Sequence, residues 1–158
     1  MHPDAQFVKT FEDGSSIELQ PLQFHMHQPS EHTIDGRQYD LEVHIVHTNA
    51  DGQFGVLGFM FDSELGGDGE NLFLGQIPLP NPDFTQSYGK DGFGNVIHTK
   101  NAKISLKGFM DSVDKTEFWS YNGSLTTPPC TEGIKWTVFS DIQPISKTQV
   151  EAFKALWG

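Results

Sequence analysis

Polar and apolar positions alternate most regularly over Tyr39–Thr48, where Leu41, Val43 and Ile45 take one parity and Glu42, His44 and Val46 the other. Side chains two apart on an extended chain share a face, so this segment is a strand with two chemically distinct faces. Phe54–Asp62 is a nearly continuous apolar run, the pattern of a strand buried on both sides. Upstream, Gln6–Phe11 and Ser16–His27 flank a turn at Glu12–Ser15, which predicts a hairpin ending at Gln28-Pro29-Ser30, because proline has no ladder donor. Asp35-Gly36 and Asn49–Gly52 read as turns. Ser63–Gly69 reads as an acidic, glycine-rich surface loop, Leu72–Gly75 as a short helix or turn, and Ile77–Val96 as a long irregular connection. Further strands are expected over Ala102–Phe109, Glu117–Tyr121 and Gly133–Ser140, with an extended loop at Asn122–Thr131. Ser146-Lys147-Thr148-Gln149 is a capping box that opens a helix to about Trp157. No repeat or linker interrupts residues 1–158, so the chain reads as one domain. Its expected fold is mainly β (a β-rich α+β class): a central, largely antiparallel twisted sheet with few short peripheral helices.

Composition narrows the function. With 36% hydrophobic residues, 12% aromatic residues and 13 Phe among 158 positions, the chain can build a real core. A net charge of −11 leaves no basic stripe for nucleic acid. No apolar run reaches the length of a membrane span. Residues 1–6 lack the basic and apolar regions of a signal peptide. The single cysteine, Cys130, has no partner within the chain for a disulfide.

Candidate chemistry lies at His25-Met26-His27. On a strand the two imidazoles point the same way, roughly 6–7 Å apart along the backbone. Histidine pairs are as often structural as metal-binding, so a third ligand is needed. His44 supplies one if its strand pairs with the first and the faces align. Three neutral nitrogen ligands with an open position is the catalytic zinc pattern. Gln23 and Glu42 sit two residues before His25 and His44, on the faces needed to hold the outer ring nitrogens. Taken singly, Glu31 and Glu42 are ordinary surface carboxylates; their place beside the histidines changes that reading. His2, His32, His47 and His98 lack such support, and His47 points away from the His44 face.

The run Gln23-Phe24-His25-Met26-His27, then Pro29-Ser30-Glu31-His32-Thr33, then Glu42-Val43-His44-Ile45-Val46-His47, resembles the zinc core of the α-class carbonic anhydrases. Tyr121-Asn122-Gly123-Ser124-Leu125-Thr126-Thr127-Pro128-Pro129-Cys130, followed by Glu132-Gly133-Ile134-Lys135-Trp136, is similar to that family's catalytic loop. The resemblance implies a zinc-dependent carbonate dehydratase, a lyase that hydrates CO2 reversibly to bicarbonate and a proton through a zinc-bound hydroxide. His25, His27 and His44 match the zinc ligands. Thr126 matches the residue that orients the hydroxide, and Glu31 the carboxylate that accepts the threonine proton; an ionised carboxylate can only accept. Val46, Val56, Leu125, Ile134 and Trp136 match the apolar CO2 pocket, Thr127 an anion contact, and Tyr121 an aromatic near the threonine.

The chain also departs from the family. It is truncated at both ends relative to the family domain, and no proton-shuttle histidine stands at a matching position. Cys130 matches a cysteine of members made in oxidising compartments, which favours a secreted or lumenal setting, although its usual partner lies in the segment this chain lacks. Exposed sheet surface is then expected to bind another polypeptide or a second copy. Two alternatives stand beside the enzyme: a non-catalytic carbonic-anhydrase-like structural or binding subunit, and a cupin-like metalloprotein, whose expected glycines are missing.

Overall fold

The computed structural model describes residues 7–11, 13–77, 87–88, 95–96 and 104–157. Its strands are β1 (Phe7–Thr10), β2 (Ser16–His27), β3 (Thr33–Ile34), β4 (Arg37–Gln38), β5 (Leu41–Thr48), β6 (Phe54–Asp62), β7 (Ser87–Tyr88), β8 (Asn95–Val96), β9 (Phe118–Ser124), β10 (Glu132–Phe139) and β11 (Gln143–Pro144). The helices are α1 (Ser63–Gly66), α2 (Leu106–Ser112) and α3 (Lys147–Trp157), with a 3-10 turn at Leu74–Gln76. One seven-stranded sheet dominates, in the order β1-β2-β5-β6-β10-β9, with β11 alongside β6. β10 and β11 run parallel to β6; the other neighbours in this sheet are antiparallel. The mainly β fold with few short helices is therefore as the patterning indicates, and the open sheet is not a cupin barrel.

Residue parity sorts the core into two clusters on opposite faces. Leu41, Val43 and Ile45 of β5 join Leu57, Phe59 and Phe61 of β6, covered by Phe109 of α2 and Phe153 of α3. Val46, Val56, Met60, Ile134, Trp136 and Val138 form the second cluster, on the His44 face. The capping box opens α3: Ser146 Oγ accepts the Gln149 N–H at 3.2 Å, and Gln149 Oε1 accepts from the Ser146 N–H at 3.4 Å. At Asp35-Gly36, φ of 51° and 78° make the tight turn between β3 and β4, a conformation glycine and aspartate tolerate.

Four expectations change. Ala102–Phe109 is not a strand; the described part enters α2. Leu106, Phe109, Met110 and Val113 have helical spacing, and Ser105 Oγ accepts the Gly108 N–H at 3.1 Å as the cap. Phe109 then stacks on Phe73 with ring centroids 4.2 Å apart. Ser63–Gly69 is not all loop, since Asp62 caps α1 by accepting the Glu64 N–H at 2.9 Å. The aromatic strand continues to Ser124, because Asn122 and Gly123 pair with Lys135 and Ile134. Within Ile77–Val96, β7 and β8 pair antiparallel, and the remainder beyond Ile77 lies outside the described residues.

One irregularity governs the site. β2 pairs Pro21 with His47 but Gln23 with Val46, so Leu22 is an extra residue that bulges to 58% exposure. The same parity therefore meets opposite faces of the sheet on the two sides of the bulge. Leu19 is fully buried, so close to Gly55 that a Cβ there would lie 2.6 Å from Leu19 Cδ1. Beyond the bulge, Gln23, His25 and His27 face Val46, His44 and Glu42. The β1–β2 hairpin meanwhile curls across the sheet, bringing Lys9 Nζ within 2.5 Å of Ser120 Oγ on β9. Leu22→Ala should shift stability by less than about 0.5 kcal/mol, as for a surface site. Deleting Leu22 should put His25 and His27 on the wrong face or displace Leu19, costing at least about 3 kcal/mol; urea unfolding of both variants compares them, and equal midpoints would refute the phase-shifting role.

Candidate metal centre

The β2–β5 register sets His25 directly opposite His44 and His27 opposite Glu42. The three rings turn inward from their backbones. Centroids are 4.9 Å apart for His25–His27, 5.2 Å for His25–His44 and 4.6 Å for His27–His44. One nitrogen of each lies within 4.8 Å of the others. His44 is buried and the other two are partly buried.

The outer nitrogens identify the tautomers. His25 Nδ1 is 2.9 Å from Gln23 Oε1, and His44 Nε2 is 2.7 Å from Glu42 Oε1. A carbonyl or carboxylate oxygen can only accept, so each of those nitrogens carries the proton. His25 Nε2 and His44 Nδ1 are left with lone pairs. His27 Nε2 is buried and has no hydrogen-bond partner among the described residues. An orphaned buried acceptor is costly unless something binds it. A cation fits here: three converging ring nitrogens, two on rings held from behind, with one otherwise unsatisfied.

Glu42 is fully buried and takes donors on both oxygens. Oε1 accepts from His44 and from His32 Nδ1 at 2.6 Å; Oε2 accepts the backbone N–H groups of Glu31 at 3.0 Å and His32 at 2.9 Å. That fills a carboxylate's four acceptor positions. His32 Nε2 then accepts from the Tyr121 hydroxyl at 2.6 Å. His32 is the member of this network that the sequence pattern leaves aside. No local periodicity marks it, and its partners lie 10 and 89 positions away. The one available clue was that a buried Glu42 needs more donors than His44 supplies.

Beside the histidines, Val46, Val56, Ile134 and Trp136 form one buried apolar wall, with Leu125 packed against it. The Trp136 ring lies 4.8 Å from His44, and its indole N–H donates to Ser124 O at 3.0 Å. Tyr121 stacks parallel to Trp136 at 6.1 Å. Thr126 and Thr127 sit on the following loop, which is closed by Leu125 N–H to Thr131 O and Cys130 N–H to Thr127 O, both 2.9 Å. Thr126 is exposed. Glu31 Oε1 lies 3.3 Å from His27 Nδ1, and among the described residues no hydrogen bond joins Glu31 to Thr126. His47 is buried on the opposite face, where its Nδ1–H donates to Ile45 O at 3.0 Å; His2 and His98 lie outside the described residues.

Burial pushes His25 down to about 3, helped by the neighbouring His44 and His27 and opposed by Glu42. Burial likewise lowers His27, and also His47. For Glu42, burial works to raise the pKa, but hydrogen bonds from His32 and His44 outweigh it and hold the carboxyl well below its usual range. Burial raises Tyr121, which keeps its hydroxyl proton available to His32. Histidines held neutral when folded bind protons only after unfolding, once pH falls below about 6.5. Stability of the metal-free chain should therefore rise with pH from about 3 to the unfolded value of 6.5. Melting temperatures measured from pH 4 to 7 should climb, and replacing His25 by Gln should flatten the climb; a level profile would contradict the burial of neutral imidazoles.

Known proteins match most of this chain. The eukaryotic-type carbonic anhydrase family model matches residues 8–157. Alpha carbonic anhydrase 4 of Arabidopsis thaliana is 36% identical over 137 residues, which cover 84% of this chain and 44% of that protein. A carbonic anhydrase of Klebsiella pneumoniae is 36% identical over 141 residues, covering 89% and 50%. The α-carbonic anhydrase structure from Photobacterium profundum superposes with a TM-score of 0.66 at 36% identity, covering 92% of this chain and 59% of that one. The chain thus spans about half the length of the curated relatives it matches. With nearly all of its own length matched in sequence and in fold, this chain belongs to the eukaryotic-type, α-class carbonic anhydrase family.

Proposed function

We propose that this chain binds one zinc ion through His25, His27 and His44 and hydrates CO2 reversibly to bicarbonate. The observation that carries the reading is the convergence of three histidine nitrogens beside an apolar wall. Zinc bound there would act as a Lewis acid and bring the pKa of its water to about 7. The remaining work falls to the chain. Gln23 and Glu42 fix two ligand rings through their outer nitrogens. Val46, Val56, Leu125, Ile134 and Trp136 offer CO2 a surface from which water is excluded. Thr126 and Glu31 enter through the family motif: an ionised Glu31 that accepts the Thr126 hydroxyl proton leaves the threonine oxygen free to accept in turn. Thr127 would add a polar contact for bicarbonate, and Tyr121 would hold His32 in place.

We further propose that the sheet edge at β9 associates with another polypeptide or a second copy. Phe118, Trp119 and Tyr121 on this edge are 51%, 49% and 43% exposed. An edge strand with no charged residue and three exposed aromatics is a pairing surface. Light scattering should find a complex; a stable monomer at micromolar concentration would count against it.

The purified chain should contain one zinc per molecule and hydrate CO2. Chelation should abolish the activity, and added zinc should restore it. Zinc without hydration would favour the alternative of a non-catalytic member of the family. Glu42→Gln places an amide N–H among four donors and should weaken zinc binding about 10–100-fold, as outer-partner substitutions commonly do; competition with a coloured chelator measures the change.

A further inference from the structure

Two of the three ligand histidines have their outer nitrogen held at hydrogen-bond distance, His25 by Gln23 at 2.9 Å and His44 by Glu42 at 2.7 Å. His27 differs. Its Nε2 is the orphaned buried nitrogen, so Nδ1 is its outer one, and Glu31 Oε1 lies 3.3 Å from Nδ1, an ion-pair separation without the alignment of a hydrogen bond. Glu31 lies four positions on, just past the end of β2, where the backbone N–H groups of Glu31 and His32 are both anchored to Glu42 Oε2. That anchor fixes where the Glu31 side chain starts, and its reach brings the carboxylate to His27.

We infer that Glu31 is a positioning residue of the loaded metal centre in its own right: once a cation is bound, its carboxylate takes the Nδ1–H of His27 and so keeps Nε2 aimed at the cation. The inference rests on the zinc reading of this site. It is separate from the bond to Thr126 that the family motif implies. A carboxylate has two oxygens and about four acceptor positions, so Oε1 on His27 leaves room for another donor. The 3.3 Å separation is longer than the Gln23 and Glu42 contacts. Glu31 is accordingly the weakest of the three holders, and its loss should cost less zinc affinity than loss of Glu42.

Zinc dissociation constants from chelator competition test this in the full chain. Glu31→Ala should weaken zinc about tenfold, the lower end for an outer partner. Glu31→Gln keeps an accepting oxygen at the same reach and should stay within about threefold of the parent. Glu31→Asp keeps the charge but withdraws the oxygen by one methylene, and should resemble Glu31→Ala. The distant, exposed Glu64→Ala should bind zinc as the parent does, and Thr126→Ala should lose less affinity than Glu31→Ala. If Glu31→Ala fails to fold, the Gln and Asp pair decides alone. Parental affinity in Glu31→Ala or Glu31→Asp would overturn the inference. So would an equal loss in Thr126→Ala, which would route the effect through the threonine, or a loss in Glu31→Gln as large as in Glu31→Asp, which would reduce it to charge. Hydration is assayed in parallel: zinc binding without CO2 hydration in every variant overturns the proposed activity while the constants still decide the role of Glu31. A parent that binds no zinc overturns both.

Discussion

A buried negative charge organises this protein. Glu42 is fully buried, and a carboxylate taken out of water costs several kcal/mol unless its lone pairs are met. Four donors meet them, from His44, from the His32 ring and from two backbone N–H groups. These donors come from the central strand β5 and from the turn after β2. Through His32 the chain of bonds continues to Tyr121 on the sheet edge. One side chain therefore fixes the tautomer of His44, the path of the 30–32 segment and the rotation of an aromatic on β9.

The sheet keeps stability and chemistry on separate faces. One face of β5 and β6 carries Val43, Ile45, Leu57, Phe59 and Phe61, sealed by α2 and α3. The other carries His44 and Glu42 next to Val46, Val56, Ile134 and Trp136. The polar centre can then hold groups that would be costly in a plain core, because the opposite layer supplies ordinary apolar packing. The same geometry keeps His25 and His27 neutral: desolvation disfavours their charged forms, so these two ligands need not shed protons to bind a cation near neutral pH.

The apolar wall and the edge strand adjoin each other. Trp136 packs beside His44, Tyr121 stacks on Trp136, and Tyr121 is itself 43% exposed on β9. A partner that added a strand to this edge would lie next to residues that orient the centre. Under the proposed reading, assembly and site geometry are thereby linked through a contiguous set of rings.

Much of this was legible locally. The parity of Leu41–His47 announced a two-faced strand, the Phe54–Asp62 run a buried one, and Ser146–Gln149 a helix start, because these signals depend on neighbours within a few residues. Gln23 beside His25 and Glu42 beside His44 were likewise readable from a spacing of two. The rest was settled by contacts between distant segments. The bulge at Leu22 switches which parity of β2 faces the core, and it becomes visible only when β2 is laid against β5. The sequence pattern places Phe109 at the end of a strand, whereas its helix is secured by a cap at Ser105 and by Phe73 on a remote loop. His32 carried no local sign at all. Its role follows from Glu42 and Tyr121 arriving on either side of it, and a chain records such meetings only once it has folded.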